Sequence, residues 1–168
     1  MWIEEDLDGS ERRWLFSPTL YVNRKRLVPV IVERVRGMTL DVGCGRMPYL
    51  SYLDPAQYES YDGLDIDRRS PNTKYIGDAQ DMRGVSDSSY DTIVSFSALE
   101  HVPNPQAVLH SMRRVAKPGA VVILAVPLFA RLHEEPHDYF RFTQYSLRHM
   151  GEEAGFRIES IESTGGVF

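Results

Sequence analysis

The chain has 168 residues, of which 42% are hydrophobic and 26% charged, which is typical of a single globular domain and excludes a disordered or fibrous protein. Its 19 Lys and Arg against 24 Asp and Glu give a net charge of −5, which argues against nonspecific binding to nucleic acid or to an anionic membrane. Cys44 is its one cysteine, so neither an intramolecular disulfide nor a cysteine-built zinc site can form.

The sequence shows neither a signal peptide nor a membrane span. Residues 1–8 are rich in acidic groups and lack the basic and then apolar order of a signal peptide. The longest apolar run, residues 120–126, has the length of a strand and falls far short of the roughly 20 residues that cross a bilayer. We therefore predict a cytoplasmic protein without stable membrane insertion.

Short apolar runs alternate with helical stretches along the chain, a pattern typical of βαβ units. The first helix is predicted at residues 23–36, with Pro29 in or near its first turn. Predicted strands follow at residues 38–42, 60–66, 74–77, 90–96 and 120–126. The last is a continuous β-branched run, which predicts a central strand buried on both faces. These elements predict an α/β fold with a Rossmann-like, open, mostly parallel sheet flanked by helices.

Two later helices have clear start and stop signals. Asn104 suits an N-cap and Pro105 the first helical position, and residues 117–119 are predicted to end that helix. Another helix is predicted from residue 143 or 144 to residue 154, with Gly155 as its C-terminal glycine. The first of these helices lies between the fourth and fifth predicted strands, and the second follows the fifth.

A carboxylate and two glycines mark the end of the first strand. In the run Asp-Val-Gly-Cys-Gly at residues 41–45, the glycines allow a sharp turn and a close approach of a ligand to the backbone. Asp65 ends the second strand 20 residues after Gly45, the separation at which an acidic side chain meets the two hydroxyls of a ribose. The sequence therefore predicts a cofactor that carries a nucleoside.

Two cofactors compete for this loop. A nicotinamide dinucleotide needs a third glycine where this chain has Pro48, and its pyrophosphate is poorly matched to the charge of Asp41. S-adenosyl-L-methionine carries an ammonium and a sulfonium and no phosphate, so the loop fits this cofactor better. An NAD-dependent oxidoreductase stays as an alternative.

The sequence resembles the class I S-adenosylmethionine-dependent methyltransferases, in particular the broad methyltransferase type 11 group, over about residues 39–156. The likeness rests on several motifs in the family's order. These are the loop at 41–45, Gly-Leu-Asp-Ile-Asp at 63–67, Gly-Asp-Ala-Gln-Asp at 77–81, a run at 88–95 similar to "SFDxVxS", Leu-Glu-His-Val at 99–102 and Val-Ala-Lys-Pro-Gly-Ala at 115–120. The resemblance implies S-adenosyl-L-methionine as cofactor and S-adenosyl-L-homocysteine as product.

The same resemblance implies a set of cofactor contacts. Asp41 is expected near the methionine end of the cofactor, Asp65 on its ribose, and Asp78 with the amide of Ala79 on its adenine. The full implied cofactor site consists of Asp41, Gly43, Cys44, Gly45, Asp65, Ile66, Asp78, Ala79 and Ser95.

The segment after the fifth strand resembles the "EPHDYxRxT" loop of some bacterial methyltransferases of this group, at residues 135–143. The resemblance implies that this loop borders the acceptor pocket. Tyr139 and Arg141 are candidate acceptor-binding residues, because an aromatic face and a cation suit a polar or anionic acceptor. An Arg–Asp pair that only holds the loop to the sheet is an equal alternative.

Histidines supply the candidate catalytic groups. An oxygen or nitrogen acceptor must lose a proton, and we predict that His137 or His101 accepts it, with His137 slightly preferred for its polar neighbours. His101 could instead hold a loop by hydrogen bonding. His133 and His137 lie four residues apart, but Pro136 between them disfavours the helical face of a metal site, so no metal is predicted.

These observations predict a methyltransferase for the oxygen or nitrogen of a small-molecule acceptor of lipid or sugar type, with no role in nucleic-acid methylation. A catalytically inactive cofactor-binding module with a regulatory or scaffolding role is the alternative from another class. One domain is expected, divided into a lead-in and helix (1–37), a cofactor-binding core (38–126) and an acceptor-side loop, helix and strand (127–168).

The end of the chain bears on the sheet edge. Residues 156–164 alternate in hydrophobicity and predict a sixth and last strand. The family sheet normally also has a seventh, antiparallel strand beside the fifth. We therefore expect a homodimer through an open sheet edge, or a rearranged edge.

Overall fold

The computed structural model describes residues 18–163, with their side chains from residue 24 onward. Apart from short 3-10 turns, the described range consists of one helix, four strands, a second helix, a fifth strand and a third helix. The helices are Pro18–Arg34 (α1), Pro105–Val115 (α2) and Gln144–Glu153 (α3). The strands are Gly37–Val42 (β1), Tyr58–Asp65 (β2), Thr73–Ile76 (β3), Tyr90–Phe96 (β4) and Ala116–Ala125 (β5).

The five strands of the described range form one parallel sheet in the order β3-β2-β1-β4-β5. Leu40 at the sheet centre lies opposite Asp62 of β2 and Ile93 of β4. The chain runs outward in one direction from β1 to β3 and then in the other from β4 to β5. Open parallel sheets bind ligands at the carboxyl ends of the strands beside such a reversal, so β1 and β4 mark the expected site. The predicted Rossmann-like fold is confirmed.

Helices cover both faces of the sheet, as its apolar central strands require. On one face α1 buries Leu27, Ile31 and Val35 against the sheet. On the other face α2 buries the apolar stripe that its sequence presents at helical spacing, consisting of Val108, Leu109, Met112 and Val115. The sheet is therefore the middle layer of three.

The start signal of α2 and the stop signal of α3 act as predicted, whereas the predicted stop of α2 was wrong: the helix ends at Val115, and residues 117–119 lie within β5. The side chain of Asn104 accepts a hydrogen bond of 3.2 Å from the backbone N–H of Ala107, and Pro105 is the first helical residue. Gly155 has a φ of +84°, and its N–H donates to the carbonyl of Glu152 at 3.0 Å. Both helix ends are thus satisfied by residues recognisable in the sequence.

The first helix differs from the prediction. It begins at Pro18 rather than residue 23, and Pro29 lies in its interior instead of near its first turn. Pro29 is on the exposed side of the helix, so water can satisfy the carbonyl of Lys25 that the missing N–H would have bound.

The fifth strand was predicted at the centre of the sheet, but it lies at an edge of the described sheet. β5 begins directly after α2, at Ala116, and forms an edge of the described sheet, with Ala116 and Ile123 as its buried residues. The prediction of a central, doubly buried strand was wrong because an apolar run does not reveal which strands flank it.

Residues 156–163 form no strand, so the predicted sixth strand was wrong over these residues; residue 164 lies outside the described range. Phe156 and Ile158 are half-buried, and Ile158 packs against Gly151 of α3. The alternation therefore reflects packing on a helix rather than strand pairing.

Between residues 18 and 163, no helix combines the length and apolarity needed to cross a membrane.

Candidate functional site

The loop after β1 turns sharply and leaves its backbone accessible. Gly43 and Gly45 have φ values of +68° and +49°, and the N–H groups of Gly43 and Cys44 donate to the carbonyl of Leu64 in β2 at 2.8 and 3.2 Å. A Cβ atom at Gly43 would overlap Ala98, whereas one at Gly45 would meet nothing within 4 Å. The loop is therefore tied to the sheet on one side and open on the other.

Asp65 lies at the end of β2 and holds the same loop. One carboxylate oxygen accepts the Gly45 N–H at 2.8 Å, and the other accepts the Asp67 N–H at 3.3 Å. Each oxygen keeps a lone pair, so the half-buried carboxylate can still accept from two hydroxyls.

Asp41 lies beneath the loop with 3% of its surface exposed. Its carboxyl group accepts a hydrogen bond of 2.9 Å from the hydroxyl of Tyr61. Burial raises the pKa of Asp41 to about 7, and the nearby Asp65 carboxylate adds to the rise. Near neutral pH the group is thus balanced between its two forms, and a cation placed beside it would favour the ionised form.

Asp78, Ala79 and Ile66 lie at the ends of β2 and β3. The exposed Asp78 carboxylate accepts from both the backbone N–H and the side-chain amide of Gln80, each at 2.8 Å. The Ile66 side chain is 67% exposed, an apolar surface beside Asp65 that suits a flat ring. These residues surround the region in which the sequence predicts an adenine.

Two predicted cofactor-site side chains are occupied inside the protein. The Ser95 hydroxyl is fully buried and donates to the carbonyl of Val42 at 2.8 Å. The Cys44 thiol is buried 3.7 Å from the hydroxyl of Thr73, and burial raises its pKa to about 11. Cys44 is therefore a neutral thiol that packs under the loop, and it offers a ligand only its backbone.

The donor set fits S-adenosylmethionine. Acidic residues end β1 and β2 and follow β3, and the open position at Gly45 leaves room for a ligand against the backbone. An ammonium and a sulfonium match these carboxyl groups, whereas a pyrophosphate would be repelled by them.

Two loops meet at the carboxyl ends of β4 and β5. The backbone carbonyl of Glu100 accepts the N–H groups of Tyr139 and Phe140 at 2.9 and 3.3 Å. His101 Nδ1 lies 2.7 Å from the carbonyl of His137. The structure thus brings the two candidate catalytic histidines, 36 residues apart in the chain, into one site.

His137 and Tyr139 are the accessible polar residues of this site. Nδ1 of the exposed His137 lies 3.0 Å from the Tyr139 hydroxyl, and 45% of Tyr139 is exposed. A solvent-facing imidazole with one nitrogen engaged can exchange a proton through the other.

Arg141 is engaged within the loop that carries it. Its guanidinium binds both carboxylate oxygens of Asp138, at 2.6 and 2.8 Å, and holds the pKa of Asp138 well below its usual range. Further guanidinium N–H groups donate to the carbonyls of Ala130, Arg131 and Phe140. This is the loop-holding pair given above as the alternative, and acceptor binding by Arg141 stays a prediction.

Glu100 is the residue that the sequence analysis did not single out. It is fully buried, and among the described residues neither of its side-chain oxygens has a hydrogen-bond partner. Burial raises the pKa of its carboxyl group. The available signal was its place directly before His101 in the Leu-Glu-His-Val motif.

Apolar side chains are exposed beside this site. Leu128, Phe129 and Leu132 follow β5 and are 47%, 83% and 69% exposed. Apolar groups grouped in this way mark a surface that takes an apolar ligand or partner.

Comparisons with known proteins agree with this geometry. A family model described as a methyltransferase domain matches residues 20–161. The chain is 26% identical to the ubiquinone biosynthesis O-methyltransferase of Pseudoalteromonas translucida, over 92% of this chain and 77% of that protein. An S-adenosylmethionine-dependent methyltransferase from Archaeoglobus fulgidus has a TM-score of 0.62 at 20% identity, covering 88% of this chain and 72% of that one.

A cyclase, SpnF, also has this fold, with a TM-score of 0.64 at 21% identity over 80% of this chain and 57% of that one. At such identities the structural likeness establishes the fold alone. The same fold occurs in a protein named as a cyclase and in one named as a methyltransferase.

Proposed function

The chain belongs to the methyltransferase-domain family and is an S-adenosylmethionine-dependent methyltransferase, and from this premise we propose that it methylates a hydroxyl oxygen of an apolar small molecule. The observation that carries the choice of acceptor is the exposure of the apolar residues Leu128, Phe129 and Leu132 on the loop after β5, the same loop that carries His137. The similarity to an enzyme named as an O-methyltransferase supports oxygen as the accepting atom.

The residues at the ends of β1, β2 and β3 hold the cofactor in this proposal. Asp65 accepts from the ribose hydroxyls, Asp78 and the backbone at Ala79 bind the adenine, and Ile66 covers its ring. Asp41 supplies negative charge near the methionine end. When bound, S-adenosylmethionine supplies a methyl group that its sulfonium makes electrophilic.

His137 is the proposed proton acceptor. When its Nδ1–H donates to the oxygen of Tyr139, Nε2 keeps a lone pair and can accept the proton of the acceptor hydroxyl. Positioning of the hydroxyl next to the methyl group supplies much of the rate in such a transfer. The loop around Arg141 and Asp138 contributes by holding His137 and Tyr139 in place.

A turnover assay tests this function. The purified chain is supplied with methyl-labelled S-adenosylmethionine and a hydroxylated aromatic ring carrying a long alkyl chain, the same ring without the chain, or an alkyl amine of equal length. We expect labelled ether product from the alkylated ring, with a higher kcat/KM than from the bare ring. Turnover of the amine alone would contradict oxygen as the acceptor.

Histidine variants make the assay specific. His137→Ala should lower kcat by about 100-fold or more while S-adenosylhomocysteine binds unchanged. His149→Ala, on the exposed surface of α3, is the matched control and should keep full activity. Cofactor binding with no turnover of any acceptor would favour the inactive binding module instead.

We propose a single domain in a cytoplasmic protein that does not act on nucleic acid. We also propose a homodimer in which the two copies meet through β5, an edge strand of the described sheet.

A further inference from the structure

We propose that Glu100, His101 and His133 form a binding site for one divalent metal ion of the zinc type. Each residue offers one ligand atom, and these three atoms lie within 4.8 Å of one another. The residues come from two segments, the turn Leu99–His101 after β4 and the loop after β5.

The carboxyl group of Glu100 points to an ion. It is completely buried, and neither oxygen has a hydrogen-bond partner in the described part of the chain. Burial of an unpartnered carboxyl group costs several kcal/mol or more when the group is charged, so native proteins pair such groups or use them as metal ligands. Nε2 of His101 lies 3.9 Å from Glu100 Oε1, which is too long for a hydrogen bond.

The two histidines hold the tautomer that a metal requires. His101 Nδ1 lies 2.7 Å from the carbonyl of His137, and His133 Nδ1 lies 2.9 Å from the carbonyl of Arg131. A carbonyl oxygen can only accept, so each Nδ1 carries hydrogen, and in the neutral imidazole each Nε2 then keeps its lone pair. Metal-ligating histidines in proteins show this same pattern, with the second nitrogen donating to a carbonyl or carboxylate.

The distances need only side-chain adjustment. Two ligands at zinc distances of 2.0–2.1 Å in a tetrahedral site lie about 3.3 Å apart. The separation of 3.9 Å between Glu100 and His101 is close to that value, and rotation of the side chains can bring in the third ligand atom. Two imidazoles with one carboxylate suit zinc and related transition metals, whereas magnesium and calcium prefer oxygen ligands alone.

The surrounding hydrogen bonds fix the two segments. Tyr139 and Phe140 bind the backbone of Glu100, and the Asp138 carboxylate accepts the backbone N–H of His133 at 3.0 Å. The charged groups facing the cluster are Asp138, 3.5 Å from His133 Nδ1, and Arg141, which pairs with Asp138. The net charge of this pair is zero, so it does not repel a cation.

The site differs from the metal hypothesis weighed in the sequence analysis. That hypothesis paired His133 with His137 and was set aside because of Pro136. The fold instead places His133 beside His101, with ring centroids 4.7 Å apart and an interplanar angle of 86°. His137 lies outside this ligand set, so its Nε2 stays available for the proposed proton-accepting role.

Three protein ligands leave a fourth position open, as in zinc sites that bind a reacting group. An acceptor hydroxyl bound there would ionise more readily. This role of the metal rests on the proposed function, whereas metal binding itself does not.

Zinc binding provides the test. The purified chain is stripped with a chelator, titrated with zinc chloride by calorimetry, and assayed for metal content after dialysis. We expect one zinc per chain, with Glu100→Gln and His133→Ala each weakening the affinity at least tenfold. His137→Ala, on the same loop but outside the ligand set, is the control and should bind zinc as the wild type does.

Two readouts keep the outcome clear. Glu100→Gln removes a buried unpartnered carboxyl, so its unfolding midpoint in urea should not fall, and a loss of zinc binding then reports on the site. A stoichiometry below one tenth, or equal zinc affinity in all three variants, would overturn the proposal, as would preference for magnesium over zinc.

Cofactor and turnover measurements separate this inference from the proposed function. Zinc binding without methylation of any hydroxylated acceptor would remove the proposed function and leave the metal site. Methylation of a hydroxylated acceptor by a chain that binds no zinc would support the proposed function and remove the metal site.

Discussion

Asp65 accepts the Gly45 N–H, and in the proposed function the remaining lone pairs of its carboxylate accept from the ribose hydroxyls of the cofactor. We predict that Asp65→Ala weakens S-adenosylhomocysteine binding at least tenfold by calorimetry. Asp67→Ala is the matched control, since Asp67 is an exposed acid whose one ion pair, with Arg69 at 3.8 Å, lies at the surface. Equal losses in both variants would show that general negative charge, rather than Asp65 itself, holds the cofactor.

Asp41 links stability to pH. Its pKa rises from 3.8 to about 7 on folding, so the folded chain keeps a proton that the unfolded chain releases as the pH passes from 4 to 7. This favours the folded state at low pH, and the advantage is lost as the pH rises toward 7. Relative to Asp41→Asn, the wild type should lose up to about 1.4 kcal/mol of unfolding free energy per pH unit in this window.

Urea unfolding of wild type and Asp41→Asn at pH 5, 6, 7 and 8 measures this difference. The asparagine keeps an acceptor for the Tyr61 hydroxyl, so the variant isolates the charge. Parallel stability curves across the range would disprove the raised pKa.

The turn after β1 and its contact with Asp65 were predictable because the signals are local. A glycine pair at a strand end and an acid 20 residues later indicate a sharp turn and a carboxylate beside it without knowledge of the fold. Glu100 was missed because its significance depends on contacts from a loop some 35 residues away, which bury its side chain and bring His133 near it. A single sequence does not reveal that a carboxyl group is buried without a hydrogen-bond partner.

Among the elements, β2 packs closely on the loop that follows β1, and Gly63 of β2 lies at the point of contact. A Cβ atom there would overlap the methyl group of Met47 and lie 2.6 Å from the Cys44 sulfur. We predict that Gly63→Ala lowers the unfolding free energy by about 1–3 kcal/mol, because the loop must shift away from the strand.

Gly77 provides the comparison for that prediction. It follows β3, and a Cβ atom there would meet nothing within 4 Å, so Gly77→Ala should change the unfolding free energy by less than about 0.5 kcal/mol. Urea titration measures both variants. If Gly63→Ala had the same unfolding free energy as the wild type, the loop after β1 would be loosely packed on β2.

Element predictions succeeded where local signals decide and failed where neighbours decide. β4 was predicted to the residue, and the Asn104 cap and Gly155 end of the later helices were correct. The position of β5 in the sheet, and the absence of a strand at residues 156–163, depend on tertiary packing. Hydrophobic alternation reports burial of side chains and says nothing about which backbone groups pair.

At the scale of the whole molecule, the two edges of the described sheet are unequal. β3 is a short strand of 4 residues, whereas β5 has 10 and pairs within the described range with β4 alone. A long strand edge of this kind can pair with another chain. We predict a homodimer through β5, with a mass by light scattering that rises with concentration from 19.2 kDa toward twice that value.

Hydrogen exchange locates the contact. The amides of β5 should gain protection as the concentration rises, while those of β3, the opposite edge, should not. A single mass of 19.2 kDa at every concentration would exclude the dimer.

The backbone of Glu100 joins the turn after β4 to the loop after β5, through the N–H groups of Tyr139 and Phe140. The conformation of each segment therefore depends on the other. An engineer who grafts residues 127–142 from a relative with another acceptor should transfer residues 99–101 together with them. Under the proposed function, the two segments would determine acceptor specificity together. A change in one segment should then be accompanied by a matching change in the other.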